Sequence, residues 1–89
     1  MAWFICSVNA AGPAADGAEA PDPVTYINLT DTGGSWAGAW YWAEDNAKKE
    51  MLAVALAAIA AGKTVAVACD APQPNNNPYT QISRLYLRA

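Results

Sequence analysis

Asp31-Thr32-Gly33 is the most conspicuous chemical motif in this chain. Aspartic proteases use this triplet to present a catalytic carboxylate, and two such aspartates share one proton across a dimer. Retroviral proteases are homodimers of chains about this long, and here the triplet follows an apolar run, Ile27 to Leu29, as that arrangement requires. Against it, a long helical pattern stands where a glycine-rich flap should be, and no apolar-apolar-glycine segment lies near the C-terminus. An Asp-initiated hairpin turn explains the same residues, and it is the preferred reading. Gly62-Lys63-Thr64 resembles the end of a phosphate-binding loop. The first glycine of that motif would fall at Ala57, and the helix precedes the segment rather than following it, so phosphates would meet the wrong end of the helix dipole. Asn28-Leu29-Thr30 is an N-glycosylation sequon, but it sits inside a strand pattern.

Two cysteines, Cys6 and Cys69, are too far apart in sequence for a metal motif or a CxxC redox pair. They read either as two small buried hydrophobes or as one disulfide closing a long loop, worth on the order of 4 kcal/mol in the chain-entropy picture. The absence of histidine removes Ser-His and Cys-His catalysis, most zinc sites and haem ligation. No catalytic residue, metal site or cofactor is assigned. Four tryptophans and four tyrosines remain. Aromatic faces stack on pyranose rings while Asn or Asp reads hydroxyls, so Trp36 beside the Gly33-Gly34 turn, and Tyr79 with Asn75 and Asn76, are the candidate glycan-binding residues. Trp3, Trp40 and Trp42 are expected to be structural, in the core or in a subunit contact.

The chain has 89 residues, room for a single domain with a thin core. Hydrophobic residues make up 54% and charged ones 15%, so it folds rather than remaining disordered. Five basic residues against eight acidic ones lack the Lys/Arg clusters that nucleic acid requires. The longest apolar run, Met51 to Ala61, is too short for a membrane span, which needs about 20 residues. No signal peptide is visible.

The elements that must position these residues follow from periodicity and punctuation. Ala2–Val8, Val24–Thr30, Trp36–Ala43, Lys63–Cys69 and Tyr79–Leu87 read as strands, with loops at 10–23 and 70–78. Thr25, Ile27 and Leu29 share one face. The break in alternation after Ile82 suggests a bulge. A helix is expected from a cap at Asp45 or Asn46 to Gly62. Leu52, Ala55, Leu56 and Ile59 are expected on its core face. Val54, Ala57, Ala58 and Ala61 then form a second, small-residue surface suited to an oligomer interface. The order β-β-β-α-β-β, with the helix between strands 3 and 4, is that of a small five-stranded α+β barrel of the OB-fold type. Closure of that barrel brings strand 1 beside strand 4, and with them Cys6 and Cys69, which favours the disulfide.

The stretch Lys49 to Val65, with the pattern MLxxALxAxxxGKxV from Met51 to Val65, resembles the helix-to-strand segment of small bacterial OB-fold proteins related to the B subunits of AB5 toxins. Tyr26-Ile27-Asn28-Leu29, Trp40-Tyr41-Trp42 and the final strand Ile82 to Leu87 sit where that family has its own strands. The resemblance implies a homo-oligomeric ring, often a pentamer, with helices lining a central channel and an outer surface that binds a glycan or a partner protein. It also implies secretion or a periplasmic location and, in a complete toxin, an A-type subunit as partner. The expectation is therefore a non-enzymatic ring-forming binding protein. The alternatives are an oligonucleotide-binding OB domain, which the acidic balance opposes, and the dimeric protease built on Asp31.

Overall fold

The computed structural model of the chain describes residues 2–14, 24–76 and 79–89. Five strands, β1 (Ala2–Ala14), β2 (Val24–Asp31), β3 (Ala39–Ala43), β4 (Thr64–Cys69) and β5 (Thr80–Leu87), form a closed barrel in the order β1-β2-β3-β5-β4. One helix, α1 (Lys48–Ala61), lies between β3 and β4, so the fold is the expected OB-like α+β barrel. Every strand contact is antiparallel except the short parallel closure of β3 on β5, Tyr41–Ala43 against Thr80–Ile82.

Alternation along the strands builds the interior. Cys6, Ile27, Leu29, Tyr41, Val65, Val67 and Ile82 are fully buried in one cluster. The expected break in β5 is a bulge: Ala68 faces Arg84 while Cys69 faces Ile82, which leaves Ser83 unpaired and turns Leu85 inward.

β1 is longer than expected. Ala10–Ala14, read above as the start of the 10–23 loop, continues the strand against Val24–Asn28. Among the described residues only β2 pairs with this extension, because the β4 pairing ends at Ser7. On such an edge Pro13 needs no ladder donor on its open side. A second bulge, at Asn9, separates the two halves of β1. In the other expected loop, 70–78, Pro74–Asn76 form a 3-10 turn, with Asn75 at φ +58. Residues 15–23, 77 and 78 lie outside the described ones.

The expected Cys6–Cys69 disulfide is not formed; both are free, buried thiols. β1 does pair with β4, but Cys6 faces Val65 while Cys69 faces Ala2. That is an offset of four residues, about 13 Å along a strand. A disulfide needs Cα atoms within about 7 Å. Burial pushes the Cys6 thiol up to about 12, and burial also pushes Cys69 up to about 11. From β3, the Tyr41 hydroxyl reaches across the interior, donates to the Asp70 carbonyl at 3.1 Å and is hydrogen-bonded to the Cys69 thiol, while burial raises its pKa.

The helix is turned relative to the expectation. Met51, Ala55 and Ala58 are buried in the barrel cluster and Val54 packs partly against it, whereas Leu56 and Ile59 are 48% and 43% exposed. Ala58 and Val54 thus belong to the core side, and only Ala57 and Ala61 of the expected interface residues are exposed. Its start is also later: α1 begins at Lys48 with Ala47 as an N-cap that makes no side-chain hydrogen bond, and ahead of it Glu44, not Asp45 or Asn46, accepts from the Asn46 N–H at 2.8 Å and caps a 3-10 turn, Asp45–Ala47. Asp45 pairs instead with Lys48 at 3.3 Å. The end is as expected, with Gly62 in the left-handed region (φ +64) and its N–H on the last helical carbonyls.

Candidate functional site

The β2–β3 hairpin turn places Asp31 first. Its carboxylate accepts from the Gly33 N–H at 3.2 Å and the Ser35 N–H at 3.0 Å, while its carbonyl accepts from Gly34 N–H at 3.0 Å. The Ser35 N–H is the main cause that holds the Asp31 pKa below its ordinary value. Both oxygens are engaged in shaping the turn, as the preferred sequence reading has it.

The same turn accounts for Trp36. The Asp31 N–H donates to the Trp36 carbonyl at 3.1 Å, and the Trp36 indole Nε1 donates to the Leu29 carbonyl at 2.9 Å. Its ring sits edge-on to Phe4 with centroids 4.8 Å apart and lies 5.8 Å from Tyr41. Trp36 is therefore partly buried and packed against the core cluster. Asn75 is exposed on its 3-10 turn, and the side chain of Asn76 lies outside the described ones.

Tyr79, the remaining candidate, leads to a surface that the sequence did not single out. Its ring stands edge-on to Tyr26, with centroids 5.5 Å apart and planes at 85°. Tyr26 in turn stands edge-on to Trp40, at 6.4 Å and 82°. Tyr26 and Trp40 wall a groove of about 300 Å³ whose other lining is Ala10 to Ala14. That volume is at the lower end of small-molecule sites, about 300–1,000 Å³.

Strand register builds this groove. On the outer face of the barrel Ala10, Asn28 and Trp40 form one cross-strand row, and Gly12, Tyr26 and Trp42 form the next. Large rings on β2 and β3 face small residues on the β1 extension, and the height difference makes the concavity. At Gly12 an added Cβ would meet nothing within 4 Å, so the floor is open there. The Asn9 bulge braces one end: its Nδ2 donates to Asn28 Oδ1 at 2.9 Å and to Thr30 Oγ1 at 2.8 Å, and Thr30 Oγ1 also accepts from the Gly38 N–H at 2.9 Å. Among the described residues no charged side chain lines the groove. An aromatic-walled, uncharged cleft can hold a flat ring with an apolar face.

Of the tryptophans expected in the core or in a subunit contact, Trp40 is 37% exposed and Trp3 53% exposed, so neither is a core residue. The signal that could have located the groove was the run Ala10-Ala11-Gly12-Pro13-Ala14, read as a strand of small residues beside an aromatic strand. Among the described residues no three His, Cys, Asp or Glu side chains cluster as metal ligands, and no helix is long and apolar enough to cross a membrane. Compared with known proteins, the chain matches no family model, no characterised protein and no solved structure. The groove's chemistry therefore has to carry the functional reading.

Proposed function

We propose that this chain is a non-enzymatic binding protein that assembles with copies of itself into a ring and takes a neutral sugar ring of a glycan in the groove walled by Tyr26 and Trp40. The observation that carries the ligand is the groove itself: an exposed aromatic wall at Trp40, a half-buried one at Tyr26, an open floor at Gly12 and no charged side chain among the described lining residues. A pyranose stacks its C–H face on Trp40. The assembly rests on the exposed aliphatic side of α1 and on the likeness of Lys49–Val65 to toxin B subunits. A ring multiplies weak single-site contacts into avidity.

A partner protein is the second reading. It is favoured by how apolar the lining is: alanines, glycine and proline supply few groups to read hydroxyls.

A glycan array followed by calorimetry on the strongest hit tests the proposal. The expected result is a neutral glycan bound by the wild type and lost in Gly12→Leu, whose side chain fills the open floor. An array without hits, or binding untouched by Gly12→Leu, contradicts it.

A further inference from the structure

A sugar ring seated against Tyr26 and Trp40 meets mostly carbon. Ala10, Ala11, Gly12, Pro13 and Ala14 form the rest of the lining, and none of these has a polar side chain. A hydroxyl pressed onto that floor loses its water and gains no side-chain partner, which opposes binding. A sugar that fits turns an apolar group toward β1. It also carries no charge, because the described lining has no lysine or arginine to meet a carboxylate and no Asp or Glu to meet an ammonium.

The nearest polar side chain on β1 is at the bulge. Asn9 is the extra residue between Val8 and Ala10, and it is exposed. An Asn side chain has two N–H donors and one carbonyl acceptor. Both donors of Asn9 are engaged, on Asn28 Oδ1 at 2.9 Å and on Thr30 Oγ1 at 2.8 Å. Thr30 Oγ1 is itself held by the Gly38 N–H at 2.9 Å. Among the described residues Asn9 Oδ1 has no donor. The amide therefore stands beside the first residue of the lining as an acceptor whose orientation is already fixed. A side chain held in place before binding loses little freedom on binding.

We infer that the sugar in this groove is an N-acetylhexosamine, its acetamido N–H donating to Asn9 Oδ1 and its methyl lying over the alanines of β1. The inference rests on the glycan reading above and names the class of sugar. An acetamido group supplies both things that the β1 side of the groove lacks, a donor and a methyl. In a planar trans amide the N–H and the methyl project to the same side, away from the carbonyl. An N–H that reaches Asn9 thus brings the methyl toward the neighbouring Ala10, while the pyranose C–H face keeps its place on Trp40. A plain hydroxyl at that position satisfies the acceptor and leaves the alanines without an apolar group.

NMR titration of the isotope-labelled chain with the methyl glycosides of N-acetylglucosamine, N-acetylgalactosamine, N-formylglucosamine and glucose tests this. Most of the series varies the ligand alone, so it needs no altered protein. Either acetamido sugar should bind about 10-fold tighter than glucose, the product of one buried methyl and one hydrogen bond, with shifts centred on Ala10 to Ala14. The N-formyl sugar, which keeps the N–H and lacks the methyl, should bind about 4-fold more weakly than its acetyl counterpart. Asn9→Ala, checked for the wild-type fold by its own spectrum, should weaken both acetamido sugars about 3-fold and leave glucose unchanged. Glucose bound as tightly as the acetamido sugars overturns the inference and leaves the glycan reading standing. An acetamido preference that survives in folded Asn9→Ala also overturns it, because the donor is then read elsewhere. No shift with any sugar, together with an empty glycan array, removes the glycan reading and the inference together.

Discussion

Two outer walls of one small barrel carry the same kinds of residue and differ in what surrounds them. Over β2 and β3, Tyr26 and Trp40 stand beside a strand of alanine, glycine and proline, so the rings wall a neutral groove. Over β4, Trp3 and Tyr86 lie on alanines that are themselves the central strand, with arginines on either side of Tyr86, so the surface is cationic and has aromatic rings on top. Where the small residues lie decides the shape. Small residues on a strand that pairs on one side leave a cleft for a small ligand. Small residues between two paired neighbours leave no cleft, and the Trp3 and Tyr86 rings meet above them, tilted at 32° to each other.

The largest expected effect is one that erases both walls together. Ile27 is fully buried in the interior beneath them, and Ile27→Ala should lower unfolding stability by about 2–5 kcal/mol in chemical denaturation. Trp3→Ala and Trp40→Ala, on the outer walls, should each stay within about 1 kcal/mol of wild type in the same measurement. If either outer substitution costs as much as Ile27→Ala, the distinction between packed interior and free walls fails.

Ionic strength sharpens the comparison next. Any contact made by Arg84 or Arg88 is screened as the Debye length falls from about 10 Å at 0.1 M salt to about 3 Å at 1 M. Glycan binding at the uncharged groove should not change across that range in calorimetry. Trp40→Ala should weaken glycan binding by about 3- to 10-fold, the loss of one stacked ring, and should leave the oligomer mass unchanged.

Smaller effects come from the groups inside and between the walls. Cys6 and Cys69, raised to about 12 and about 11 by burial, should resist iodoacetamide at pH 8 in the folded protein and react fully in denaturant, read by intact mass. Fast labelling of the native chain would place either thiol outside the core. Asp31 should report on acid. Its pKa is held below the ordinary 3.8 in the folded state, so its contribution is complete above that value and is lost as pH falls through the lower, folded value. Asp31→Asn should flatten the decline in stability below pH 4, and an unchanged acid limb would show that the turn does not depend on the carboxylate.

Most of the fold was legible in the sequence. Strict alternation at Thr25, Ile27 and Leu29, the Gly33-Gly34 turn, the Gly62 stop and the break after Ile82 each state a local geometry, and together they specify the barrel order. Besides the β1 extension and the Glu44 cap, two features were not legible. From Met51 to Ala61 every residue is apolar, so periodicity cannot choose which side of α1 faces in. The interior accepts Met51 and the small Ala55 and Ala58, and leaves Leu56 and Ile59 outside. The second was the pairing register of β1 on β4. Strand patterns put Cys6 and Cys69 on neighbouring strands without stating the offset between them. The candidate site was less legible still. Trp36 stands next to a turn, where exposure is the ordinary expectation, yet the turn folds the indole back onto the Leu29 carbonyl. Trp40 and Tyr26 emerge only once the β1 extension is known to be a strand.

The native mass of the wild-type chain at micromolar concentration tests the central claim most directly. The account predicts a single discrete oligomer of several copies that persists on dilution within that range. A chain that stays at the 9.3 kDa of one copy at every concentration would contradict it.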